Sequence, residues 1–161
     1  MVQLAKHFGG VVTAVCSTRN IDLVQKLGAD QVIDYTREHV VGNGRQYDLV
    51  MDNVGNLSAS QFMQLLKPQG IGVMVGFTTI GRMLGNVLAG RWSALRGGPP
   101  IGSMLAHPNK EDMLLLHDLL AENVLKPVID RNYPLAETAA AIRYLEEGRA
   151  RGKVVISLAG E

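Results

Sequence analysis

Apolar positions in this chain fall into short unbroken runs separated by stretches of helical spacing, and the two patterns alternate along most of its length. Residues 11–16 (VVTAVC) form an apolar run without polar alternation, the pattern of a strand buried on both faces of a parallel sheet. Residues 31–34, 47–54 and 71–77 predict further strands. Between them, residues 1–8 carry Val2, Ala5 and Phe8 at helical spacing ahead of Gly9 and Gly10, and residues 21–27 predict a helix closed by Gly28. Ser58 and Gln61 form a capping box for a helix bearing Phe62, Leu65 and Leu66, which Pro68 ends at Lys67.

Residues 78–102 read as irregular, with Gly81, Gly85 and Gly90, the basic residues Arg82, Arg91 and Arg96, and a GGPP breaker. Residues 101–106 predict one more short strand, and Asn109 with Asp112 caps a helix to about Glu122 whose apolar stripe is Met113, Leu116 and Leu120. Residues 127–133 read as extended, 137–147 as a helix stopped by Gly148, and 153–158 as a final strand. Strand and helix alternating in this way give an α/β class, a doubly wound, Rossmann-like parallel sheet with a short C-terminal strand-helix-strand segment. The alternation breaks near Val124, which divides the chain into residues 1–123 and 124–161.

Composition narrows the function classes. At 161 residues with 47% hydrophobic content, the chain is long enough to bury a core and too apolar for disorder. Sixteen Lys plus Arg against 15 Asp plus Glu leave a net charge of +1, so no global field draws nucleic acid or an acidic membrane, and an anion site must be local. A single cysteine, Cys16, excludes an intramolecular disulfide and a Cys-rich zinc cage, and fits a reducing, cytoplasmic compartment. Neither a leader nor a membrane span is expected.

Ligands of a doubly wound sheet bind beyond the carboxyl ends of its strands. The first strand is followed there by Ser17, Thr18, Arg19 and Asn20, with no acid before Asp22. Hydroxyl donors and an arginine fork suit a 2′-phosphate, where an acid would take a ribose 2′-hydroxyl. Helix capping by Ser17, Thr18 and Asn20 with a solvated Arg19 accounts for the same residues equally well. Asn53 and Val54 follow the strand at 47–54, and Gly76 and Phe77 end the strand at 71–77, positions where backbone approaches a flat ligand. No G-x-G-x-x-G, P-loop or G-x-S-x-G is present, and the four histidines are scattered without a metal-ligand spacing.

The runs VQLAKHFGGVVTAVCSTRN, LGADQVIDY, YDLVMDNVG, LLKPQGIGVMVG, KPVIDRNYPL and RYLEEGRARGKVVISL resemble the medium-chain dehydrogenase/reductase superfamily, most of all its zinc-independent, quinone oxidoreductase-like branch, often labelled zinc-type alcohol dehydrogenase. The resemblance covers essentially the whole chain and corresponds to the C-terminal, cofactor-binding half of a member. It implies an NADP(H)-dependent oxidoreductase transferring hydride to a small quinone, enone or aldehyde, with no zinc, no nucleic acid partner and an allowance for a homo-oligomer. Ser17, Thr18 and Arg19 would hold the 2′-phosphate beside Tyr35; Asn53, Val54, Gly76 and Phe77 would line the cofactor crevice; Arg151 and Lys153 would face it. No catalytic residue is identified. The family's first strand and glycine loop have no counterpart, so the sheet is expected to be incomplete at its N-terminus, with open edges at 11–16 and 47–54. The chain alone is then expected not to be catalytically competent, the rivals being a non-catalytic NADP-binding or sensor module, an interaction protein, or a truncated reading frame.

Overall fold

The computed structural model describes residues 1–76, 79–103 and 107–158, the side chain of Arg82 excepted. Its elements run α1 (Val2–His7), β1 (Thr13–Cys16), α2 (Ile21–Lys26), β2 (Gln31–Asp34), β3 (Tyr47–Asp52), α3 (Ala59–Leu65), β4 (Leu66–Met74), α4 (Ile80–Leu95), β5 (Ile101–Ser103), α5 (Lys110–Ala121), β6 (Ile129–Pro134), α6 (Thr138–Glu146) and β7 (Lys153–Ser157). They form two compact units, Met1–Thr36 with Asn109–Glu161, and Arg37–Pro108. Every strand pair is parallel, as the Rossmann-like α/β class requires.

In the first unit β1 pairs with β2 from Thr13↔Gln31 to Cys16↔Asp34. Gly28 closes α2 at φ +100°, a left-handed conformation that a side chain would strain. Lys6 Nζ donates to both oxygens of Asp30 at 2.8 and 2.9 Å, and the Val12 amide donates to Asp30 Oδ2 at 2.6 Å, so one carboxylate ties α1 to the start of the sheet. The Lys6 hydrogen bond, with the Val12 amide second, holds the Asp30 carboxyl below the ordinary carboxylate range. Gln3 exchanges two hydrogen bonds with the backbone of Lys126, at 3.0 and 2.7 Å, as a ladder residue would. The expected C-terminal strand-helix-strand segment is β6, α6 and β7, with β6 parallel to β7 and Asp130 bulged out between Ile129 and Arg131.

The second unit is a sheet of order β3-β4-β5. Its core is Phe62, Leu66, Met74 and Ile101, with Val50, Leu57 and Val87 packed against it. Burying a ring such as Phe62 contributes about 1.5–3 kcal/mol. The capping box forms as expected: the Gln61 amide donates to Ser58 Oγ and the Ser58 amide to Gln61 Oε1. The helix stops at Leu65 rather than Lys67, because Pro68 drives the preceding residues extended and Leu66 already sits at φ −93°, ψ 139°.

Three further expectations are corrected. Residues 80–95 are not irregular but form the 16-residue α4. Gly90 within that stretch is a packing residue: a Cβ there would stand 2.3 Å from the Ile101 carbonyl oxygen, so only glycine lets α4 cross β5 this closely. On α5 the stripe is misplaced; Met113 and Leu120 are exposed, while Leu119 is buried. Strands read as buried on both faces keep Val15, Leu49 and Ile71 about half exposed, at 48%, 54% and 50%, since sheets of two and three strands carry too little cover for both faces. Among the described residues no helix is long and apolar enough to cross a membrane.

Candidate functional site

The carboxyl end of β1 leads through an extended Ser17 into a 3-10 turn, Thr18–Asn20, closed by the Asn20 amide on the Ser17 carbonyl at 2.8 Å. Capping does not account for these side chains. Neither Ser17 nor Asn20 makes a side-chain cap hydrogen bond. Thr18 Oγ1 instead donates to Asp34 Oδ2 and lies 3.0 Å from Thr36 Oγ1, and Asn20 Oδ1 accepts from Arg151 Nε at 3.0 Å. The Tyr35 amide donates to the Cys16 carbonyl at 3.1 Å, which extends the β1-β2 ladder and brings Tyr35, 59% exposed, to the strand end from which the turn leaves. Arg19 is exposed and meets no acceptor among the described residues. Ser17, Thr18, Arg19 and Tyr35 are therefore brought to one corner of one unit.

The turn carries no acid of its own before Asp22, and Asp34 reaches it from the end of β2. It is buried, and its carboxylate accepts from Thr18, from the Thr36 amide at 3.0 Å and from Thr36 Oγ1 at 2.6 Å. Strand pairing brings it there, opposite Cys16 in the ladder. Its charge is satisfied by hydroxyl and amide donors, so it orders the turn from below. Burial pushes the Cys16 thiol up from its ordinary value, and the Asp34 charge adds to the rise, which leaves an inert thiol.

Asn53, Val54 and Gly76 form a second group in the other unit. The buried Asp52 carboxylate accepts from the amides of Val54 (3.1 Å), Gly55 (2.8 Å) and Leu57 (2.8 Å), fixing the loop that presents the exposed Asn53 and Val54. Asn86, also buried, donates to the Leu57 carbonyl at 2.9 Å and holds the far end of that loop. A Cβ at Gly76 would lie 2.4 Å from the Asn53 carbonyl oxygen, so this backbone approach requires glycine. Phe77 lies outside the described residues.

Sequence reading singled out Asn53 and missed Asp52, although an Asp at a strand end ahead of Asn53 and Gly55 is a readable Asx-turn signal. Among the described residues, no cluster of three His, Cys, Asp or Glu side chains could hold a metal ion. The first corner offers the Ser17 hydroxyl and the exposed Arg19 guanidinium, which meets no acceptor among the described residues. That donor set fits a phosphate carried on the ribose of a flat base.

Residues 27–156 match the family model described as zinc-binding dehydrogenase. Trans-enoyl reductase pgmF of Aspergillus terreus is 34% identical over 98% of this chain and 47% of its own length. The NADPH-dependent alkenal/one oxidoreductase, chloroplastic, of Arabidopsis thaliana is 30% identical over 97% of this chain and 36% of its own length. Among solved structures, the quinone oxidoreductase from Coxiella burnetii superimposes with a TM-score of 0.81 at 31% identity, covering 98% of this chain and 48% of that one. The chain thus spans half or less of the length of these relatives.

Proposed function

This chain belongs to the zinc-binding dehydrogenase family, within the medium-chain dehydrogenase/reductase superfamily, and from that premise we propose that it is the NADP(H)-binding part of a reductase acting on a small quinone, enone or aldehyde. The observation that carries the reading is Arg19, an exposed guanidinium with no acceptor among the described residues, on a turn whose Thr18 hydroxyl is held by Asp34. In this reading Ser17, Thr18 and Arg19 hold the adenosine 2′-phosphate and Tyr35 packs along its ribose. Asn53 and Val54, on the loop fixed by Asp52, line the crevice for the nicotinamide half, and Gly76 with Phe77 admits it closely. Reduced nicotinamide supplies the hydride; the chain supplies placement.

The boundary near Val124 separates the cofactor-binding part from a returning segment, α6 with its flanking strands. No zinc is included, since the one cysteine and four scattered histidines offer no metal-ligand spacing. A cytoplasmic location is kept on the single free cysteine. Catalysis requires the substrate placed against the cofactor's reactive carbon, so the isolated chain is proposed to bind cofactor without turnover.

The test is a titration of the full chain with NADPH and with NADH, followed by tryptophan and nicotinamide fluorescence. Saturable binding with NADPH preferred by about tenfold or more, and loss of that preference in Arg19→Ala, is the expected result. Equal affinity for the two cofactors, or no saturable binding to either, sinks it.

A further inference from the structure

The helix α4 turns polar and small residues toward its sheet and large apolar ones away from it. Asn86 is buried and donates to the Leu57 carbonyl at 2.9 Å, and Gly90 is buried against the Ile101 backbone, so the rotation of the helix is fixed. Leu84, Leu88, Trp92 and Leu95 are consequently 53–83% exposed and form one stripe. An ordinary surface helix has the reverse arrangement. Arg91 falls on one edge of the stripe and Arg96 on the other, with the Arg96 guanidinium over the Trp92 ring at 4.7 Å. Neither arginine has an acid partner among the described residues. Residues 53–110 carry Lys67, Arg82, Arg91, Arg96 and Lys110 and no Asp or Glu, in a chain whose net charge is only +1.

We propose that the outward face of α4 docks on a bilayer surface bearing anionic lipid, the helix lying in the interfacial plane. A stripe of leucines with a tryptophan enters the boundary between headgroups and acyl chains, while arginines on its two edges stay at the lipid phosphates. The charge pattern selects this occupant. A second copy of the face would set Arg91 and Arg96 against arginines with no acid on the helix to neutralise them. Size argues the same way: a stable protein interface buries about 800 Å² per partner, whereas one face of a 16-residue helix is about 24 Å long and about 10 Å wide. A bilayer sets no such minimum, since apolar area and charge each add to binding. No helix among the described residues can span a membrane, so the contact is peripheral. The inference stands apart from the NADP(H) reading, whose residues lie on other elements.

Trp92 is the only tryptophan of the chain, so its emission reports this face directly. The full chain is titrated with vesicles of phosphatidylcholine alone and of equal parts phosphatidylcholine and phosphatidylserine, with co-sedimentation as a second readout. The mixed vesicles are expected to shift Trp92 emission to the blue and to expose it to quenching by brominated acyl chains, both reversed by raised salt. Neutral vesicles bind at least about tenfold more weakly, and Arg91→Gln with Arg96→Gln weakens the mixed ones about tenfold or more. Leu88→Ser also weakens binding about tenfold, while Leu114→Ser, 52% exposed on α5, leaves it unchanged. These side chains are exposed, so the urea midpoints of the variants stay near wild type. No binding to either vesicle overturns the inference, as does equal binding to both or binding indifferent to the arginine pair. A blue shift that grows with protein concentration in the absence of vesicles gives the face to a second copy and also overturns it. Vesicle binding by a chain that takes up neither NADPH nor NADH leaves this inference standing while the cofactor reading falls.

Discussion

Gly72 lies directly beneath the ring of Phe62: a Cβ built at Gly72 would stand 2.8 Å from Phe62 Cδ1 and 3.2 Å from Cε1, with Ile101 Cγ1 at 3.3 Å. The ring is fully buried and cannot swing aside, so β4 and α3 approach as closely as they do because position 72 has no side chain. Gly72→Ala gains about 0.4–1 kcal/mol by restricting the unfolded chain, and overpacking costs about 1–3 kcal/mol. The net expectation is destabilisation of up to about 2 kcal/mol, read from the urea midpoint. Gly102→Ala in the neighbouring strand, where a Cβ meets nothing within 4 Å, serves as the control and is expected within about 0.5 kcal/mol of wild type. Equal midpoints for the two variants would contradict the packing argument.

The loop after β3 depends on a single carboxylate. Asp52 Oδ1 accepts two amides and Oδ2 a third, all from residues within five positions. In Asp52→Asn one oxygen becomes an NH₂ donor facing an N–H, leaving a buried donor unsatisfied at a cost of about 1–3 kcal/mol. Hydrogen exchange locates the effect: the amides of Val54, Gly55 and Leu57 are expected to lose protection ahead of the β3 and β4 amides. Uniform loss across the sheet would mean that Asp52 supports the core rather than the loop.

Local chemistry was readable wherever both partners lie close in sequence. Ser58 and Gln61 declare the start of α3, and the run at 31–34 gives β2 to the residue. What escaped reading is non-local. Gly90 falls in a stretch that reads as irregular until Ile101 is placed against it, and then it is the residue that permits the contact. Asp34 carries no sign that Thr18 will bind it, because parallel pairing of β1 and β2 makes that contact. Arg151 is 131 residues from Asn20, and no period or spacing encodes such a pair. The site residues were found by strand-end position, whereas the acids and amides that hold them in place depend on the fold.

Cys16 offers a chemical check on the β1 corner. Burial, with the Asp34 charge second, raises its thiol above the ordinary value, so the thiolate fraction at neutral pH is small. Iodoacetamide is expected to label the native chain at least about tenfold more slowly than the unfolded chain, and Asp34→Asn to accelerate native labelling modestly by removing the secondary contribution. Native labelling as fast as in denaturant would show Cys16 to be accessible and its thiol unperturbed.

The Asp130–Tyr144 pair gives β6 and α6 a dependence on pH at both limits. The Tyr144 hydroxyl, then the Arg151 amide, lowers the Asp130 pKa from its ordinary value, while the same hydrogen bond to Asp130 raises that of Tyr144. A carboxylate depressed in the folded state contributes stability that is fully present above its unfolded pKa of about 3.9 and is lost as pH falls through the folded value. A phenol raised in the folded state contributes stability that is present below its unfolded pKa of about 10 and is lost as pH rises through the folded value. Asp130→Asn keeps an acceptor for Tyr144 but removes the titrating charge, so its stability curve should lie below wild type at neutral pH, begin to approach it as pH falls past about 3.9, and meet it below the depressed folded value. Near-UV circular dichroism of Tyr144 against pH reports the pair directly, and Tyr144→Phe supplies the alkaline control. If wild type and Asp130→Asn lose stability in parallel through the acid range, the Asp130 carboxylate makes no pH-dependent contribution, and the anchoring of Arg151 owes nothing to its charge.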